Sequence, residues 1–310
     1  MNHLPFSITA YLLNGVAVTV DKFLLSKHIP DPLVYVFYFS LVSLVGLLLI
    51  PFAQVPSTPV ILIASLSTLL WTTGAYFMFK ALQIGLVTRV VPVIGTLIPL
   101  FLLMESVINY SITPNQVVAV LFLVLGLIFL TSFDWKGKIR KEEIVFIILS
   151  SIFFAVSYSV LRQAYVLADN FFSVFVYSRP VLVPVGIALF ILPQTRERIF
   201  PRKKQEDKEK LSGLFTSKAG IFFAGGQICA GISELLLTFS VSLANPALVN
   251  SLQGVQYVFL FLMNLVLAKK YPHIFSERLT SGVVVTKTIG ILAIGVGLYL
   301  LSINATNNLY

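Results

Sequence analysis

ALQIGLVTRVVPVIGTLIPLFLLMESV, residues 81–107, and SVSLANPALVNSLQGVQYVFLFLMNLV, residues 240–266, are one kind of segment met twice. A shift of 159 residues sets Val90 on Val249, Gly95 on Gly254, Leu103-Met104 on Leu262-Met263 and Val107 on Val266. Each contains the run of about 20 mostly apolar residues that crosses the hydrocarbon of a bilayer. The segments that follow also end alike, GLIFLTS from Gly126 and GLYLLS from Gly297. There the shift has grown to 171 residues, because of an insertion around KKYPHIFSERLT.

The rest of the chain is made of the same material. Of its 310 residues 57% are hydrophobic and 11% charged, and the mean hydropathy is +0.91. Soluble domains carry roughly a quarter charged residues, so lipid is the solvent this chain needs. The pattern predicts helices near 5–26, 32–51, 58–83, 87–108, 114–132, 143–167, 171–193, 219–243, 246–268 and 282–303. Pro30-Asp31-Pro32 separates the first two, and Pro51, Pro56 and Pro59 the next pair. Pro114 and Pro246 open the fifth and ninth helices, where a missing N–H costs little. The first run lacks a basic n-region and a small-residue cleavage site, and Asp21-Lys22 interrupts its end, so it reads as a helix that stays.

A unit of five helices is odd, so a second copy must lie upside down in the membrane. Inverted repeats recur in secondary transporters, with the site near the midplane between them. The expected fold class is therefore all-α integral membrane, ten transmembrane helices as two inverted five-helix repeats around a central cavity. The repeats are 1–133 and 143–310, joined by a cytoplasmic connector 134–142. The hydrophilic stretch 194–218 holds eight Lys or Arg against four acids and reads as a solvated cytoplasmic loop. Basic residues mark the cytoplasmic side. Lys22, Lys27, Lys80, Arg89, Lys136, Lys138, Arg140, Lys141, Lys269, Lys270, Arg278 and Lys287 all fall on the same side as that loop, which puts both termini outside.

These features resemble the drug/metabolite transporter superfamily, in its EamA-like ten-helix branch. The residues that carry the resemblance are KALQIGLVTRVVPVIGTLIPLF (80–101), LVNSLQGVQYVFLFL (248–262) and the Gly-Leu endings of helices five and ten. The chain departs from the family where NYSIT (109–113) follows the fourth helix. What the resemblance implies is a metabolite carrier. The expected setting is the bacterial cell (inner) membrane.

Charges inside the membrane cost on the order of 3 kcal/mol each on insertion scales. Arg179 lies about eight residues into the seventh helix and Glu234 near the middle of the eighth, so they read as an ion pair facing a polar cavity. A buried pair that only fixes helix register is the competing reading. Asn250, Gln253 and Gln256, with Tyr257, recur at helical spacing as one polar stripe. Trp71 and Tyr76 are candidates for the same cavity wall, with plain aromatic packing as the alternative. Asp21, Lys22, Lys80, Arg89 and the kinking Pro92 are assigned to gating or ion coupling, and Asp21 or Glu234 would carry a coupling proton. Arg162 and Glu105, near outer helix ends, are left without a role.

The single cysteine, Cys229, gives no disulfide, and His3, His28 and His273 are too dispersed for a metal site. No Walker lysine motif, HExxH or nucleophile elbow occurs. The expected function is a secondary transporter of a small organic solute by alternating access, with proton coupling as an option and without a cofactor. A membrane enzyme or flippase acting on a lipid-linked substrate is the alternative. The expected partners are the solute and the lipid bilayer, not nucleic acid, for a monomer or homodimer.

Overall fold

A computed structural model describes residues 3–25, 32–85, 87–109, 112–131, 140–168, 170–193, 196, 218–267 and 281–307. Within these, side chains are described except at 18–25, 34–35, 38–39, 87–89, 131, 218–224, 263–267, 281, 283–284 and 302–307. Connector residues 132–139, most of the basic loop and residues 268–280 lie outside the described residues, and with them most of the charges that set the expected orientation.

Every described element is helical: α1 Leu4–Leu25, α2 Pro32–Ser43 running into a 3-10 segment Leu44–Phe52, α3 Thr58–Ile84, α4 Val87–Ile108, α5 Pro114–Thr131, α6 Lys141–Leu167, α7 Phe171–Tyr177, α8 Leu182–Ile191, α9 Lys218–Leu243, α10 Pro246–Ser251, α11 Gln253–Leu267 and α12 Ser281–Asn307. Among the described residues, five runs are long and apolar enough to cross a membrane: Thr58–Ile84, Val90–Ile108, Lys141–Leu167, Phe171–Ile191 and Gly225–Leu243. Five shorter apolar runs accompany them, at Leu4–Ala17, Ser40–Phe52, Pro114–Leu130, Pro246–Leu262 and Val285–Leu301. Large apolar side chains stand on the outer faces, with Leu48 76%, Ile108 72% and Leu292 65% exposed. Water would drive such a surface to associate, whereas hydrocarbon accepts it. The architecture is that of a multi-pass membrane protein.

Three of the expected helices are interrupted, each for a local reason. In the seventh apolar segment Pro180 has no N–H to give Val176, whose carbonyl instead accepts from Arg179 N at 3.1 Å. Leu182 N donates to Arg179 O and Val183 N to Pro180 O, so the chain passes through tight turns between α7 and α8. In the ninth, side chains compete with the ladder: Asn250 Nδ2 donates to Pro246 O and Ser251 Oγ to Leu248 O. The backbone narrows there, Leu252 N donating to Val249 O, and α10 gives way to α11. The second segment tightens after Ser43 into a 3-10 stretch containing Pro51.

The two halves of the chain are interleaved. The most extensive pairings join one half to the other: α3 with α6, α5 with α12, and α1 with α9. Other pairings across the halves are α4 with α6, α1 with α11, α4 with α10, α2 with α8, and the 3-10 segment with α7, while α4 with α5 is a comparable pairing within one half. Three glycines sit in the α5–α12 seam, flanked by Leu123, Leu130 and Ile294. A Cβ on Gly126 would stand 2.7 Å from Gly290 O, one on Gly290 2.8 Å from Gly126 O, and one on Gly297 3.0 Å from Ala119 O. Small residues let helix backbones close to this distance in lipid.

His3 lies just ahead of α1, where burial holds its imidazole down at about 4 and leaves Nε2 without a partner. The folded protein therefore keeps His3 neutral, while the unfolded chain takes a proton near pH 6.5. Stability attributable to His3 should fall as pH drops from 6.5 to 4, by about 3 kcal/mol at the low end. Melting temperatures of His3→Gln should show a shallower acid slope than wild type across that window. Equal slopes would mean that His3 already titrates normally in the fold.

Candidate functional site

The turn at Pro180 sets Arg179 on the inner side of its interrupted segment, 5% exposed. Its Nη1 donates to Glu234 Oε1 at 2.8 Å and to Ser43 Oγ at 2.9 Å, and its guanidinium lies 4.3 Å over the Phe175 ring. Ser43 is the residue at which α2 tightens into the 3-10 segment. Two interrupted segments thus meet at their interruptions, and one guanidinium ties both to the middle of α9. Gly46 lets this happen, because a Cβ there would sit 3.1 Å from the Phe175 ring. Away from bulk water such a pair attracts far more strongly than on a surface.

Aromatic residues of α1, α3, α6 and α11 gather beside the pair. Tyr165 is within electrostatic range of both Arg179 and Glu234, and Tyr158 of Glu234. Trp71 donates its indole N–H to the Tyr158 hydroxyl and packs edge-on against Phe154, ring centres 5.4 Å apart. Tyr11 lies close to Tyr158 and Tyr257. One turn along α1, Asn14 Nδ2 donates to Gln256 Oε1 at 3.1 Å.

Of the residues singled out in the sequence, Arg179, Glu234, Trp71, Gln256 and Tyr257 belong to this neighbourhood. The interruption at Leu252 divides the expected stripe. Asn250 is buried on α10 and spends its amide on Pro246 O. Gln253 lies flat against Gly95 of α4, where an added Cβ would be 2.9 Å from its amide. Tyr76 and Lys80 pair with each other, Nζ 5.7 Å from the ring centre. Pro92 does not end α4; the Thr96 hydroxyl donates to Pro92 O at 2.9 Å. The side chains of Asp21, Lys22 and Arg89 lie outside the described residues.

No family model matches the sequence, and no curated protein does. Solved structures do match it. One, described only as the crystal structure of a protein, superposes with a TM-score of 0.64 over 98% of this chain and 98% of its own, at 15% identity. The likeness is one of fold. It runs the length of the chain, so the interleaved helical arrangement is shared from end to end.

Four groups of residues escaped the sequence reading. Tyr11, Tyr158 and Tyr165 fall among the residues counted as hydrophobic, although the spacing of seven between Tyr158 and Tyr165 places both on one face of α6. Glu143 sits in the first turn of α6, where an acid ordinarily complements the helix dipole. Here it is fully buried with its carboxylate against Gly85 of the α3–α4 hairpin. Lys287 read as a flanking charge, yet it is 4% exposed with Nζ 4.8 Å from the Phe261 ring centre. Arg162 donates from Nη1 to the Val241 and Ser242 carbonyls at the end of α9, and Glu105 accepts from Ser159. With Ser106 donating to Asn245 Oδ1 at 3.0 Å, these bonds knit the ends of α4, α6 and α9.

Proposed function

We propose that this chain is a secondary transporter of a small organic solute, built on the EamA-like plan of two inverted five-helix repeats and working by alternating access. The observation that carries the reading is the Arg179 node, a buried guanidinium paired with a partly exposed carboxylate where two interrupted segments meet in an apolar helical body. Interrupted helices at a polar centre are how such carriers build a site in lipid.

The pairing pattern supports a duplication. Count the apolar segments from one to ten, taking α2 with its 3-10 extension, α7 with α8, and α10 with α11 as single segments. Exchanging one with six, two with seven and so on turns the 3–6 contact into 8–1, and 4–6 into 9–1. It leaves 2–7, 4–9 and 5–10 unchanged. All seven contacts occur. Two of the three interruptions obey the same exchange, since segments two and seven are both broken, while segment nine is broken and its counterpart four is continuous.

In this reading Arg179, Glu234, Trp71, Gln256 and Tyr257 contact solute, with Asn250, Gln253 and Tyr76 as outlying members of the expected set. Glu234, 29% exposed at its side chain, carries any coupling proton, with Asp21 as the other carboxylate on offer. Lys22, Lys80, Arg89 and Pro92 serve the cytoplasmic gate of a bacterial inner-membrane protein with both termini outside. The test is flux in proteoliposomes offered neutral, zwitterionic and anionic metabolites. The expected result is saturable flux, lowered about 100-fold in Arg179→Ala and Glu234→Gln, the scale at which displaced charge partners act. Protein that binds a solute and moves none of it would sink the transporter reading. Full flux in both variants would remove the pair from the mechanism.

A further inference from the structure

The hydroxyls of Tyr11 and Tyr257 are buried without a hydrogen-bond partner, and so is Nε of Arg179. The Tyr165 hydroxyl is in the same condition by hydrogen-bond geometry, though Thr238 lies beside it. Buried polar groups are nearly always paired, because water lost on burial has to be replaced. One such orphan is an accident; several, gathered round one charge pair and drawn from three helices and a turn, mark a place where an absent molecule supplies the bonds.

From these orphaned groups we infer that the solute is uncharged and polyhydroxylated, of the monosaccharide or cyclic polyol class. The inference rests on reading this interior as a solute site. Charge decides the first half. Arg179 and Glu234 stand 2.8 Å apart and neutralise each other, and the surrounding groups are phenols, an indole and amides. A solute carrying an ammonium or a carboxylate, whether ionic or zwitterionic, would find its counter-charge already engaged in the pair, and burying an unpaired charge is costly. Hydrogen-bond type decides the second. A phenol hydroxyl both donates and accepts, which suits hydroxyl oxygens presented in several directions. Phe154 lies against Gly74 and Tyr165 is stacked on Phe171, but the rings of Trp71 and Tyr257 are only partly buried and bring apolar surface to which the C–H face of a ring-shaped polyol is suited.

Binding and melting of purified protein in nanodiscs test this directly, with glucose, myo-inositol, glycine betaine and succinate as probes. Glucose or myo-inositol should raise the melting temperature, and betaine and succinate should leave it unchanged. Tyr11→Phe and Tyr257→Phe keep the ring and delete the orphan. Each should raise the melting temperature of the ligand-free protein while weakening the neutral probe at least tenfold. A fall in ligand-free melting temperature in both variants would overturn the inference, because the hydroxyls would then be held by resident water in a structural network. So would binding of betaine or succinate in place of the neutral probes, silence from both neutral probes, or neutral binding indifferent to the two substitutions. Flux is a separate readout: neutral binding without flux leaves this inference standing and sinks the transporter.

Discussion

Glu234→Leu should cost about 3 kcal/mol of stability, at the low end of what breaking a buried ion pair costs. The substitution strands Arg179, whose side chain is 6% exposed, with the Ser43 hydroxyl and the Phe175 face as its remaining company. Those two contacts keep the loss from being larger. Arg179→Leu should be milder, because Glu234 is 29% exposed at its side chain and can reach solvent or take up a proton. The double variant Arg179→Leu/Glu234→Leu should recover most of the loss, since apolar groups often replace a buried pair at little cost. Melting temperatures of the four proteins in one detergent close the cycle and isolate the pair's coupling. A double variant no more stable than Glu234→Leu would show that the Arg179–Ser43 link, rather than the ion pair, holds the interrupted segments together.

Gly290→Ala is expected to be nearly as damaging, again about 3 kcal/mol, at the top of the range for overpacking. The added methyl would meet Gly126 O at 2.8 Å and Leu130 N at 3.0 Å. Both are backbone atoms, and backbone has no rotamer with which to yield. Gly126→Ala meets the same seam from the other side, with Ile294 Cγ1 at 2.6 Å and Gly290 O at 2.7 Å. Gly295 supplies the control on the same helix, as nothing lies within 4 Å of a Cβ there. Gly295→Ala should be neutral or stabilise by up to about 1 kcal/mol, the helix propensity difference. If Gly290→Ala and Gly295→Ala melt alike, α5 and α12 are farther apart than the structure has them.

How much of this was legible beforehand depends on what each feature answers to. Segment bounds answer to hydrocarbon thickness and to proline, both written locally. Hence 58–83, 87–108 and 114–132 are met by Thr58–Ile84, Val87–Ile108 and Pro114–Thr131. Arg179 and Glu234 were legible as a pair because intramembrane charge demands a partner. Their other neighbours were not. Ser43 looked like any small residue in an apolar run, and Tyr11, Tyr158 and Tyr165 looked like bulk. The division of the stripe was hidden because it depends on Asn250 choosing its own helix's carbonyl over a neighbour. Glu143 went unnoticed because only the folded hairpin reveals Gly85 beside it.

The glycine seam has a mechanical meaning. Side-chain interfaces can repack, since rotamers offer them more than one fit, but two backbones in contact offer a single fit. Any sliding or rolling of α12 along α5 would bring residues with a Cβ onto the carbonyl oxygens of Gly126, Gly290 and Ala119, where only glycine fits. These two helices must travel as one stiff piece, a spine contributed equally by both halves of the chain. Motion is left to the segments whose helices are already broken, and the spine is the fixed frame from which that motion would be measured.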